Sequence, residues 1–327
     1  MISQIQKFWR LTLLGNLRLA LVQTFDFLRR ALYSKLGLSD FIRSKLLIGG
    51  PAAPLHAIHV LVHRNIIGRP AGDEISIMEE DWDNLILLDS YREDYFRNHS
   101  QFEGELTTAI SKGTWSLEFI VNNFQGSQFH DTVVVTSNPY YQRYSKLDEG
   151  TFHDIIYCPK TEGINSFIEV LDRALEANEM FPNKRLLVHV MKPHTPHIGE
   201  TSNRYRKKFN DIYPGMFPLY KSGVISKRTL EQSYCDTIAK IEPRLEEFIN
   251  KIDGKSVISS DHGENLGEKY YGLRQFGHGN PTSECYKVPW LELSYKKRRE
   301  ITEDQPVSKD RIPEEEVADH LEALGYK

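Results

Sequence analysis

The stretch Ser256-Val257-Ile258-Ser259-Ser260-Asp261-His262-Gly263-Glu264 begins as an apolar, β-branched run and stops abruptly at an acid, an imidazole and a glycine. A strand buried on both faces of a parallel sheet has this texture. Its carboxyl end is where open α/β sheets bind ligands. A carboxylate and an imidazole side by side are ordinary donors for zinc or manganese. Taken alone, the pair reads more readily as an Asp capping the next turn beside a solvated His, so its meaning depends on what else reaches that edge.

Other apolar runs end in the same manner. Leu85-Ile86-Leu87-Leu88 finishes on Asp89-Ser90, with Arg92 just beyond. Thr132-Val133-Val134-Val135-Thr136 is stopped by Asn138-Pro139, and Leu186-Leu187-Val188-His189-Val190 runs into Lys192-Pro193-His194-Thr195-Pro196-His197. Two prolines exclude a regular helix there, which places His194 and His197 on a rigid loop at a strand end. Helical spacing separates these runs: Leu117 to Phe124, Ile164 to Leu175, and Leu230 to Ile249 with Pro243 as an expected bend. Gly277-His278-Gly279 precedes a last strand, Val288–Leu293. Alternating strands and helices imply an α/β fold around a mostly parallel sheet. Ser116 opens a helix, either as a plain N-cap or as a hydroxyl where helix-end amides favour an anion. Residues 201–228 show no clean period and mix basic with aromatic side chains, a solvated loop or a lid for an anionic or sugar-containing substrate.

A chain of 327 residues with 40% hydrophobic and 26% charged side chains can bury a large core. Its net charge of −4 argues against a nucleic-acid partner. Residues 1–50 run the other way, eight Lys/Arg against Asp26 and Asp40, so this segment is +6 and the remainder −10. Apolar residues from Phe8 to about Leu47 recur at helical spacing, and Arg10, Arg18, Asp26, Arg29 and Arg30 interrupt every window long enough to span a bilayer. Such a basic amphipathic segment packs on its own domain or makes peripheral membrane contact, here through residues 5–47. Three scattered cysteines suggest neither a disulfide framework nor a cysteine zinc cage. With no signal peptide read at the N-terminus, the expected location is cytoplasmic or peripheral on the inner face of the membrane. The expected organisation is a basic helical segment at 1–72, a catalytic domain at 73–299, and a charged tail at 300–327 with a short helix near Glu314–Leu324.

Trp82-Asp83-Asn84-Leu85-Ile86-Leu87-Leu88-Asp89-Ser90-Tyr91-Arg92 resembles the first motif of sulfatase-like proteins of the alkaline phosphatase superfamily, in the archaeal and bacterial branch reading W-D-x-L-I-x-L-D-x-x-R. Gly113-Thr114-Trp115-Ser116-Leu117-Glu118-Phe119 is similar to that branch's G-S-x-T-x-E-W segment, Val135–Pro139 to its strand-plus-N-P element, and Lys192–His197 to its P-H-x-P loop. Ser260–Glu264 with Gly267-Glu268 resembles S-D-H-G-E-x-x-G-E, and His278 with Val288-Pro289-Trp290 completes an ordered set over about residues 80–293. The resemblance implies an alkaline phosphatase-like three-layer sandwich, preceded here by N-terminal helices. It implies Asp89, Asp261 and His262 as metal ligands, with Ser116 as nucleophile and fourth ligand. His194 and His278 would contact the transferred group or leaving oxygen. His197 would touch substrate or brace its loop, and Arg92 would steer an anion or pair locally.

Two departures shape the expected chemistry. Ser116-Leu117-Glu118-Phe119-Ile120 lacks the Pro and Arg of the C/S-x-P-S-R context whose residue is oxidised to formylglycine, so an unmodified serine is expected. Asp261-His262 replaces an acid-rich, calcium-suited set, favouring one divalent ion, zinc or manganese over calcium or magnesium. The expected function is a metal-dependent hydrolase or transferase of phosphate or sulfate esters through a covalent Ser116 intermediate, phosphoryl chemistry favoured. Its substrate would be an anionic ester, with glycan- and lipid-linked esters as candidates. The alternative is a degenerate sulfatase-like domain that binds anionic glycans or a partner without turnover.

Overall fold

The computed structural model describes residues 72–143, 147, 150–158, 163–270 and 272–307. The expected N-terminal helices, the membrane-contact segment 5–47 and the helix near 314–324 lie outside them. In chain order the elements are β1 (Asn84–Asp89), α1 (Glu93–His99), β2 (Gly104–Ile110), α2 (Ser116–Phe124), β3 (Phe129–Thr136), α3 (Tyr140–Arg143), β4 (Phe152–Tyr157), α4 (Asn165–Met180) and β5 (Arg185–Pro193). They continue with α5 (Glu200–Phe209), a 3-10 turn (Asn210–Ile212), α6 (Met216–Lys221), α7 (Lys227–Ile249), β6 (Ser256–Ser260), β7 (Asn265–Tyr270), β8 (Leu273–Gly277), α8 (Ser283–Tyr286) and β9 (Lys287–Leu293).

The chain divides into two compact units. The larger runs to His194, resumes over Ile238–Glu264 and continues from Thr282. It holds a seven-stranded sheet in the order β2-β9-β6-β1-β5-β3-β4. β6, β1, β5, β3 and β4 are mutually parallel, and β9 runs antiparallel to both β6 and β2. Every residue of β1 is buried, as the apolar run predicts for a central strand covered on both faces. On one face Leu85, Leu87, Val134, Leu187 and Val257 pack with Phe119, Ile120 and Phe124 of α2, fixing that helix over the sheet. The pairing of β1 with β5 shifts between Leu88, opposite Val190, and Asp89, opposite Pro193. β5 therefore extends three residues beyond the expected end and delivers His194 beside Asp89, whose carbonyl accepts the His194 N–H at 3.0 Å.

The smaller unit comprises Thr195–Thr237 and Asn265–Pro281 among the described residues. Residues 201–228, expected as a solvated loop or a lid, fold into α5, the 3-10 turn, α6 and the start of α7. Helices as short as α5 and α6 give too few repeats to show a clear period. Phe209, Ile212, Met216 and Leu219 are buried there, and the antiparallel β7–β8 hairpin sets Phe276 against Phe217 and Tyr220 at 6.3 and 5.7 Å between ring centres. Among the described residues no helix is long and apolar enough to cross a membrane.

Candidate active site

β6 and β1 are neighbours, so their carboxyl ends carry Asp261-His262 and Asp89 to one place. The Ser260 hydroxyl bonds the Leu88 carbonyl and accepts the Tyr91 N–H at 2.9 Å, which locks the two strand ends in register. Asp89, Asp261 and His262 are wholly buried, and a ligand atom from each lies within 4.8 Å of the others. His262 Nε2 stands 3.3 Å from Asp261 Oδ2 and 3.6 Å from Asp89 Oδ1. Ser116 Oγ, also buried, lies 3.4 Å from the same Nε2.

The orientation of each group is set by its neighbours. His262 Nδ1 is 2.9 Å from the Gly263 carbonyl, which can only accept, so the proton sits on Nδ1 and the Nε2 lone pair faces inward. Ser90 occupies the left-handed region at φ 65°. From there its hydroxyl donates to Asp89 Oδ1 at 2.8 Å and its N–H to Asp261 Oδ1 at 3.2 Å, tying the two carboxylates together. Backbone strain of this kind is kept where the surroundings over-determine it. Ser116 is brought in by a close approach at Gly113, where a Cβ would stand 2.4 Å from the Phe119 nitrogen. The hydroxyl heads the nine-residue α2, whose first N–H groups have no intrahelical acceptor.

The electrostatics match a cation. Asp89 Oδ2 and Asp261 Oδ2 have no hydrogen-bond partner among the described residues. Burial acts to raise the Asp261 carboxyl, but the His262 and His189 imidazoles and the Ser116 hydroxyl outweigh it and hold the group well below the carboxylate range. An imidazole nitrogen beside two buried carboxylate oxygens is a donor set that a divalent ion fits. Glu264, fully buried, is pushed up to about 7, first by burial, and also by the Asp89 charge.

His194 lies in the same unit and is buried. Arg92 shows the local pairing: its Nε and Nη2 donate to Asp94 at 2.9 and 2.6 Å, and Nη1 to the Glu264 carbonyl at 3.3 Å. His197 and His278 belong to the smaller unit. There Ser233 Oγ donates to the Leu230 carbonyl and so accepts from His197 Nδ1 at 2.7 Å, while the imidazole ring packs against Phe217 and Tyr234. His278, half-buried, follows β8.

Two groups escaped the reading of the sequence. His189, in the middle of β5 and wholly buried, sets Nε2 3.3 Å from Asp261 Oδ2 and Nδ1 3.2 Å from the Tyr141 hydroxyl. Burial, with the Asp261 charge nearby, holds the Tyr141 phenol well above its ordinary value. The available signal was an imidazole inside an otherwise apolar strand, where a polar group requires a partner.

Residues 107–322 of the chain match the sulfatase family model. That span holds Ser116, His194, Asp261, His262 and His278 and begins after Asp89. Among solved structures, the zinc complex of the C-terminal periplasmic domain of EcEptC from Escherichia coli is 13% identical, with a TM-score of 0.45 over 68% of this chain and 75% of that one. The C-terminal periplasmic domain of the phosphoethanolamine transferase EptC from Campylobacter jejuni is 13% identical, with a TM-score of 0.40 over 64% and 77%. The soluble domain of lipooligosaccharide phosphoethanolamine transferase A from Neisseria meningitidis is 16% identical, with a TM-score of 0.42 over 69% and 79%. No curated protein sequence matches the chain.

Proposed function

Because this chain belongs to the sulfatase family, we propose that it is a metal-dependent phosphoesterase or phosphotransferase whose nucleophile is the unmodified Ser116. The observation that carries this reading is the convergence of the Ser116 hydroxyl with Asp89, Asp261 and the inward Nε2 of His262 in a buried site. Asp89, Asp261 and His262 would hold one divalent ion, with Ser116 Oγ as the fourth donor. Two carboxylates and an imidazole suit zinc or manganese better than calcium or magnesium. Such an ion, when bound, lowers the hydroxyl's pKa and offsets charge on the transferring oxygens.

The chain's own residues account for the rest. Ser116 Oγ attacks phosphorus, forming the seryl phosphoester as the bond to the departing ester oxygen breaks. The orphan amides at the start of α2 face the anionic group as it transfers. His194 is assigned to the leaving oxygen, which takes up a proton as it departs; water or an alcohol then releases Ser116. His278 is assigned the same role as a second imidazole, and Arg92 and His197 support substrate binding through the elements they hold. The ester or acceptor is glycan- or lipid-linked under this proposal, and residues 5–47 would hold the enzyme at a membrane surface.

A zinc- and manganese-supplemented screen against phosphomonoesters, phosphodiesters and sulfate esters tests the assignment. Phosphoester turnover is expected, with phosphoserine at Ser116 recovered by peptide mass spectrometry after an acid quench. If Ser116→Ala left every observed turnover unchanged, the proposal would be wrong.

A further inference from the structure

The two oxygens of Asp261 are used differently. Oδ1 accepts backbone N–H groups from Ser90 at 3.2 Å and His262 at 2.8 Å. Oδ2 faces two imidazole nitrogens, each 3.3 Å away: Nε2 of His262 and Nε2 of His189. The His262 nitrogen presents a lone pair, because its proton is on Nδ1 toward the Gly263 carbonyl. With the Ser116 hydroxyl on the side of the reacting group, the donor that can hold Oδ2 from behind is His189. Neither His189 Nε2 nor Asp261 Oδ2 has a hydrogen-bond partner among the described residues, and the 3.3 Å approach between them is an ion-pair distance that a small adjustment would turn into a hydrogen bond.

The other side of the His189 ring decides its tautomer. The Tyr141 hydroxyl lies 3.2 Å from Nδ1 and can donate or accept, but the Asp261 carboxylate facing Nε2 can only accept, so the phenol is the donor to a bare Nδ1. This leaves the hydrogen on Nε2, toward Asp261. The ring has little freedom to turn: Tyr141 meets it edge-on at 5.6 Å and Phe119 at 6.2 Å. Its backbone is fixed too, since the His189 carbonyl accepts the Thr136 hydroxyl at 2.7 Å. Thr136 Oγ1 in turn accepts the Asn138 N–H at 2.9 Å, and the Asn138 carbonyl accepts the Tyr141 N–H at 3.3 Å, so one turn positions both members. His189 stands outside the trio whose ligand atoms lie within 4.8 Å of one another, on the flank of Asp261.

We propose that Tyr141 and His189 form a positioning relay in which Tyr141 O–H fixes the Nε2–H tautomer of His189 and that hydrogen aims Asp261 Oδ2 at a divalent cation. The inference rests on the cation reading of the site. Outer hydrogen bonds of this type typically change metal affinity by about 10- to 100-fold.

The test uses the full chain and zinc alone as probe. Affinity is measured by competition with a chromophoric chelator, and fold by circular dichroism. His189→Ala is expected to weaken zinc by about 10- to 100-fold. His189→Gln, whose amide N–H can replace Nε2–H, is expected to recover most of that loss, and Tyr141→Phe to show a smaller one. Long-range ¹H–¹⁵N spectra of the zinc-free protein are expected to show His189 protonated at Nε2. Wild-type zinc affinity in a folded His189→Ala protein, or a proton on Nδ1, overturns the relay alone. Should His189→Ala fail to fold, Tyr141→Phe and the wild-type imidazole spectrum decide: unchanged affinity in the first, or an Nδ1 proton in the second, overturns it. A wild-type protein that binds no zinc overturns the cation reading and the relay with it.

Discussion

Glu264→Gln should remove a pH dependence that the wild-type protein carries between pH 5 and 8. The side chain is 1% exposed, and burial, reinforced by the charge of Asp89, moves its carboxyl from an ordinary 4.5 up to about 7. His194, His262 and Arg92 act in the opposite sense without cancelling this. Each tenfold change in proton affinity is worth about 1.4 kcal/mol, so the displacement amounts to roughly 3 kcal/mol. An acid that holds its proton more tightly when folded stabilises the fold fully below its unfolded value. That contribution drains away as pH rises from about 4.5 through about 7 and is then gone. The neutral amide of Gln has no proton to lose. Urea unfolding of the zinc-free proteins should therefore show the wild type losing roughly 2–3 kcal/mol between pH 5 and 8 relative to the variant. Parallel stability curves for the two proteins would refute the claim that Glu264 is held above its ordinary value.

Saturating the site should stabilise the fold: zinc at a hundredfold excess over its Kd should add about 2.7 kcal/mol, read as a rise in Tm that a chelator reverses and that Asp89→Asn with Asp261→Asn abolishes. Arg298 donates to Asp83 at 2.8 and 2.9 Å and to Asp81 at 3.0 and 2.7 Å. Burial acts to raise the Asp83 carboxyl, but Arg298 and the Lys255 and Arg299 N–H groups outweigh it and hold it low. This stabilisation is present above about pH 4 and lost on acidification. Arg298→Ala should cost about 2 kcal/mol at neutral pH, the remaining backbone donors and the 38% exposure of Arg298 limiting the loss, and less at pH 3. Gly113→Ala would place a methyl 2.4 Å from the Phe119 nitrogen. It should cost about 1–3 kcal/mol in thermal unfolding and lower kcat by moving Ser116 off the His262–Asp261 pair.

What could be read directly from the residues follows burial. β1, β3, β5, β6 and β9 are interior strands of the sheet, and each appears in the sequence as an apolar run ending at a turn signal. The two strands that left no such trace, β2 and β4, are its edges. In β2, four of seven residues, Gly104, Glu105, Thr107 and Thr108, are exposed and not apolar, because an edge needs only one covered face. The β7–β8 hairpin, carrying Lys269, Arg274 and Gln275, was hidden for the same reason.

The sequence by itself determined the α/β order, the acids and imidazoles at the strand ends, and a serine at a helix start, because these features are local and repeat with the period of their element. Tertiary structure alone decided which of them meet. Pairing of β1 with β6 joined Asp89 to Asp261-His262, and packing at Gly113 brought Ser116 to them. The parallel neighbours β1, β5 and β3 placed His189 between Asp261 and Tyr141. Asp261 and His189 are 72 positions apart, and their contact depends on strand order, which no short-range pattern encodes.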